Sequence, residues 1–170
     1  MEVAPTASKV VVVDASVLIN FLIIERLDLL ETRPGLRFVL PQEVDAEIRR
    51  PEQRRQLDKA LAFRSLSIEP STEPAEIALA AALRLVLDRG ESACLAIAQH
   101  RGWSVACDER GRFSRLAEER LGPGRHLNTS GLLVRSIREG HLNVSRADEL
   151  KAVLEANRFR MPFRSFAEVI

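Results

Sequence analysis

Four acidic residues, Asp14, Glu47, Glu91 and Asp108, stand where a folded chain could gather carboxylates. Asp14 directly follows the apolar run "VVVV" (Val10–Val13), and Asp108 directly follows "SVAC" (Ser104–Cys107). Both runs read as buried strands, because they are continuous rather than alternating. In "LPQEVDAEI", Val44 and Ile48 lie four apart and mark a buried helical stripe, with Glu47 one position from it. In "GESACLAIA", Glu91 shares a helical face with Leu95 and Ala98. Carboxylates that share a site repel unless a cation holds them. A donor set made only of oxygen suits a hard divalent ion, Mg²⁺ or Mn²⁺, with water and substrate phosphate filling the other positions. Taken singly, each acid also has a plainer role. Asp14 suits a helix N-cap, Asp108 a turn, Glu91 the positive end of a helix, and Glu47 a pairing with Arg50 or Arg54. The four together point to chemistry.

The elements that must position these acids alternate along the chain. Strands are expected at Lys9–Val13, Leu36–Leu40, within "SLSIEP" (Ser65–Pro70), within "WSVACD" (Trp103–Asp108) and at "RHL" (Arg125–Leu127). Helical spacing runs from Ser16 to about Leu30, in one or two pieces, and "TRPG" (Thr32–Gly35) ends it. A charged helix opens at Pro41, restarts at Pro51 and reaches Phe63. Further helices are expected from Pro74 to the Asp88–Gly90 turn, from Glu91 to Arg101 with Gly102 as the stop, and from Phe113 to Leu121. Two more close the chain, the second opening with Ser145 and Asp148 as a capping box. This order predicts an α/β fold with a parallel sheet of about four or five strands and helices on both faces. Ligands of such sheets bind outside the carboxyl ends of the strands, where Asp14 and Asp108 fall.

Composition narrows the function. The 170 residues suit one domain, expected over residues 9–170 with a flexible segment at 1–8. The net charge of +1 is not that of a protein that coats nucleic acid. One Trp, seven Phe and no Tyr give no extended stacking platform for bases. Cys94 and Cys107 lack metal-ligand spacing and read as reduced core thiols, which with the short polar Met1–Ser8 points to the cytoplasm. The apolar stretch Val10–Ile24 is broken by Asp14 and Asn20, so no membrane span is expected. No glycine-rich phosphate loop follows the first strand. Position 16 is Ser, where a dehalogenase-like phosphotransferase needs a second Asp, and Lys9, Lys59 and Lys151 miss the late strand end that a receiver domain requires. His100, His126 and His141 have no triad or metal spacing.

Read in order, the motifs resemble the PIN-domain family of nucleases, in particular the single-domain VapC-like toxin ribonucleases of bacterial and archaeal toxin–antitoxin pairs. "VVVDASVLIN" is similar to that family's opening D-x-S-x-L-I strand, and "LPQEVDAEI" to its P-x-x-V-x-x-E segment. "DRGESACLAIAQHRGWSVACDERGR" resembles its G-E…A-L-A…V-x-T-D-D block, and "NTSGLLVRSIREGHL" a G-T-x-G-L-L segment of one subgroup. The resemblance implies a three-layer α/β/α fold and metal-dependent hydrolysis of RNA using one or two Mg²⁺ or Mn²⁺ ions. It makes Asp14, Glu47, Glu91 and Asp108 the catalytic and metal-binding acids, and places Ser16 and Asn20 at the site's lining. Arg110 and Arg112 are candidates for steering the RNA backbone. The chain departs from the pattern at Ala93, where a second acid is common, at Cys107 and at Asn128. A homodimer and an inhibitory antitoxin are the implied partners, with Pro51–Phe63 and Phe159–Ile170 as contact stretches. "RFRMPFRSF", which mixes Arg with apolar residues, suits an RNA path. The rival reading is a PIN-fold binding module with weak or no nuclease activity.

Overall fold

The structure is a computed structural model, described over residues 9–32 and 35–170. The N-terminal segment 1–8, expected to be flexible, and the middle of the "TRPG" turn lie outside the described residues. Strand β1 (Lys9–Val13) is central, paired in parallel with β2 (Leu36–Leu40) on one side and β4 (Ser104–Ala106) on the other. The short strands β3 (Ser67–Ile68) and β5 (His126–Leu127) flank them, giving the parallel order β3-β2-β1-β4-β5. Val11, Val12 and Val13 are fully buried. This is why the first strand is continuously apolar: a parallel strand covered on both faces has no solvent side to alternate towards.

Eight α-helices are found among the described residues. α1 (Ala15–Ile23) packs with α2 (Gln42–Glu47), α3 (Pro51–Ala62), α7 (Thr129–Arg138) and α8 (Val144–Ala156). α5 (Arg89–Arg101) lies on β1 and β4 and packs against α4 (Pro74–Leu83) and α6 (Arg112–Leu121). The result is the expected three-layer α/β/α sandwich. Connections from β1 lead outward to β2 and β3, whereas the chain after β3 returns through α4 and α5 to β4 on the other flank of β1. The β1/β4 boundary is therefore the switch point of the sheet, where a crevice opens above the strand ends.

Two local expectations are revised. The helix after Ser16 stops at Ile23, because Glu25 takes a left-handed φ of 54°; a 3₁₀ turn at Leu27–Leu30 follows. The start of α8 is capped by Asn143, whose side chain accepts the Arg146 N–H, rather than by Ser145 and Asp148. Asp148 accepts instead from Ser165 Oγ at 2.6 Å and Phe166 N at 2.8 Å, tying the C-terminal segment down. These two donors hold its carboxyl below the usual carboxylate range. With Phe166 buried and Met161 nearly so, this segment packs on the protein's own core.

Candidate active site

The site is built on the switch point. Asp14 ends β1 and caps α1: its Oδ2 accepts from Ser16 N at 3.1 Å and from Ser16 Oγ at 2.7 Å. The plain N-cap role is thus real, and it occupies one carboxylate oxygen only. Ser16 Oγ also accepts the Asp108 N–H at 3.0 Å, so one hydroxyl links the ends of β1 and β4. Asp108 is held on the far side. Its Oδ1 accepts from Thr129 N at 2.8 Å, and its Oδ2 from Asn20 Nδ2 at 2.9 Å and Thr129 Oγ1 at 2.5 Å. Asn20 is buried and spends its amide on Asp108 and Thr129, so it positions an acid rather than lining open space.

Glu47 and Glu91 arrive from helix ends. Glu47 closes α2 and makes no ion pair with Arg50 or Arg54; Arg54 is taken by Asp45 and Asp58. Its carboxylate lies over Gly90. A Cβ at Gly90 would stand 2.5 Å from Glu47 Oε1 and 3.6 Å from Asp14 Oδ1, so a larger residue here would push the Glu47 carboxylate aside from its present place near Asp14. Glu91 sits at the third position of α5 in a reciprocal capping box with Asp88: Glu91 N donates to Asp88 Oδ1 at 2.8 Å, and Asp88 N to Glu91 Oε2 at 3.1 Å.

Electrostatics mark the rim as one acidic field. The Glu47 carboxyl is raised above the usual range by desolvation and by the charges of Asp14 and Asp88. Glu91 is raised by burial, against the Asp88 N–H bond, with Asp88, Asp14 and Glu109 adding to the rise. Asp108 is raised because burial outweighs its bonds from Thr129 and Asn20. Two buried thiols line the same carboxylate, Cys107 Sγ at 3.4 Å from Asp14 Oδ2 and Cys94 Sγ at 4.0 Å from Asp14 Oδ1. Burial and then the Asp14 charge push both thiols up, so they stay protonated and donate weakly to Asp14.

The donor set fits a hard divalent cation. Asp14 Oδ1 receives only the weak Cys94 contact, and Glu47 Oε1 faces it across a glycine cradle. No cationic side chain neutralises Glu47 or Glu91 by a direct ion pair among the described residues. No three His, Cys, Asp or Glu side chains among those residues are arranged to enclose an ion directly.

Arg110 and Arg112 follow the rim on the loop after β4 and the start of α6, both exposed. Arg112 donates to Val86 O at 3.0 Å and so braces the turn after α4; Arg110 makes no such bond among the described residues. Four participants escaped sequence reasoning: Asp88 and Glu109 as contributors to the field, Gly90 as cradle and Thr129 as clamp. A glycine inside the first turn of a helix, where it is unfavourable, was the available signal for Gly90.

A protein-family model described as a PIN domain matches residues 10–170. A search of curated proteins finds no match. No helix among the described residues is long and apolar enough to cross a membrane. A match over nearly the whole chain, on a parallel sheet with its acids at the β1/β4 switch point, assigns the chain to the PIN-domain family, a nuclease-type fold.

Proposed function

We propose that the protein is a metal-dependent endoribonuclease that hydrolyses RNA phosphodiester bonds, acting as the toxin of a toxin–antitoxin pair. The observation that carries the reading is the delivery of Asp14 and Asp108 to adjacent strand ends at the switch point, with Glu47 near Asp14 across Gly90, Glu91 at the start of α5, and no direct ion pair to Glu47 or Glu91 among the described residues. Asp14, Asp108, Glu47 and Glu91 would hold one or two Mg²⁺ or Mn²⁺ ions. A bound ion of this kind supplies water of lowered pKa and offsets charge on the attacked phosphate. The chain's own residues orient the donors. Ser16 holds one Asp14 oxygen and leaves the other with only the weak Cys94 contact, while Thr129 and Asn20 fix the plane of Asp108. Such outer partners set how well ligands are presented. A single compact unit over residues 9–170, working in the cytoplasm, belongs to the same reading. So do two partners, a second copy and an inhibitory protein, for which the exposed Ile77, Leu85 and Val86 on and after α4 offer apolar surface.

The test is cleavage of a mixed RNA pool with Mn²⁺, Mg²⁺ or EDTA, beside Asp14→Asn, with melting curves under the same conditions. Metal-dependent cutting that falls about a thousandfold in Asp14→Asn, roughly 4 kcal/mol of barrier, is the expected result. Saturating Mn²⁺ should also raise the melting point of the wild type and not of Asp14→Asn. Cutting that survives the substitution would assign it to a contaminant. No cutting with a metal-induced melting shift would favour the binding-module reading.

A further inference from the structure

Asp108 has a second neighbourhood. A cavity of about 140 Å³ opens between the loop after β4, β5, the start of α7 and the segment after α8; Asp108 lines it, but Asp14, Glu47 and Glu91 do not. That volume is well above the space a single water needs, which gives room for a small ligand group such as a nucleobase. Phe159 supplies an aromatic wall, and Ser114 and Asn128 supply polar groups. Asn128 Oδ1 is taken by the Gly131 N–H and the Ser130 hydroxyl, which leaves its amide hydrogens to donate. His126 Nε2 is committed to Cys107 O at 2.9 Å, so its Nδ1 is left as an acceptor beside Ser114.

Two arginines line this cavity, Arg110 from the loop and Arg160 from the C-terminal segment, and neither has a hydrogen bond or ion pair among the described residues. Glu109 also lines it, and Asp108 is already engaged by Thr129 and Asn20. Guanidinium forks without a partner suit a phosphate. The wall that carries Phe159 and Arg160 is fixed in place. Phe159 N donates to Leu154 O, Met161 is buried, and Ser165 and Phe166 are anchored on Asp148.

We propose that this cavity is a nucleotide subsite: it takes the base next to the cleaved phosphate against Phe159, and the adjoining phosphate between Arg110 and Arg160. Its place beside the cut rests on the ribonuclease reading; its capacity to bind RNA does not. Stacking on an aromatic ring and pairing with a phosphate are separable by their salt dependence.

The experiment measures binding of a 5′-fluorescein-labelled single-stranded RNA in EDTA across a salt series, then KM and kcat for its cleavage with Mn²⁺. The variants are Arg160→Ala and Phe159→Leu, with Arg64→Ala as an exposed control. Arg160→Ala should weaken binding about tenfold and reduce the slope of log Kd against log salt by about one. Phe159→Leu should weaken it about fivefold or more and leave the slope alone. KM should rise in the same order, with a smaller change in kcat. Cleavage with both variants binding within about twofold of wild type would overturn the subsite and leave the ribonuclease standing. Loss of RNA binding in both variants without any cleavage would keep the subsite and overturn the hydrolysis reading. No RNA binding by the wild type would overturn the subsite.

Discussion

The two ends of α5 hold two charge clusters solved in opposite ways. At its C-terminus Arg101 is saturated. It pairs with Glu76 at 2.5 and 3.0 Å, with Glu69 at 2.9 Å and with Pro70 O at 3.1 Å, and it stacks over Trp103 with Arg37 on the same ring. Glu76 is fully buried, yet its carboxyl lies below the usual range because Arg101 bonds it directly. At the N-terminus Glu47, Glu91 and Asp108 are all raised, chiefly by burial and further by neighbouring acids. A paired cluster is structure, since each charge already has its partner. Raised carboxylates gathered without direct ion pairs are the pattern of a candidate functional site.

The comparison breaks most visibly at Glu76. Glu76→Ala leaves Arg101 half-unpaired against a buried site and should cost about 3 kcal/mol or more, read as a drop in denaturant midpoint, while RNA cleavage by the folded protein is retained. A similar stability loss from Asp14→Asn would erase the distinction between the two ends. Next in size is Thr129→Val, which keeps the shape but removes the hydroxyl bond to Asp108 Oδ2. Cleavage should fall about tenfold, the usual scale for a partner that orients a ligand, with the Thr129 N–H still on Oδ1. Unchanged cleavage would remove Asp108 from the working set.

The smallest effect is in the pH dependence of the metal-free protein, and it has two signs. The rim acids have folded values above their unfolded ones, so acidification between the raised values and the usual carboxylate range lets the fold bind more protons and gains stability. Glu76 has a lowered folded value, so its contribution is present above the usual range and is lost as pH falls through the lowered one. Melting temperature should therefore rise and then fall on acidification. In Glu76→Gln the fall should shrink and the rise persist; a monotonic fall in the wild type would contradict the raised carboxyls assigned to the rim.

Much of this was legible in the residues themselves. Continuous β-branched runs gave the strands, apolar spacing gave the helices, and the positions of Asp14 and Asp108 straight after two such runs gave the rim. What was missed depends on partners far along the chain. Glu91 looked inward by its spacing, but its carboxylate turns to the backbone of Asp88, its nearest unsatisfied donor. Asn20 looked like a lining residue, but Asp108, 88 positions on, claims its amide. Asp148 looked like a cap for its own helix, but Ser165 and Phe166 reach it first.

By itself the sequence determined the elements and their chemistry, because hydrophobic period, caps and turn residues act over a few positions. Only the tertiary structure decided that β4 lies beside β1, with Val12 opposite Val105, rather than beside β3. Strand order is settled by which faces bury together across the whole chain, and no local residue encodes it. That one pairing places Asp108 within reach of Ser16 and sets the Cys107 thiol against Asp14.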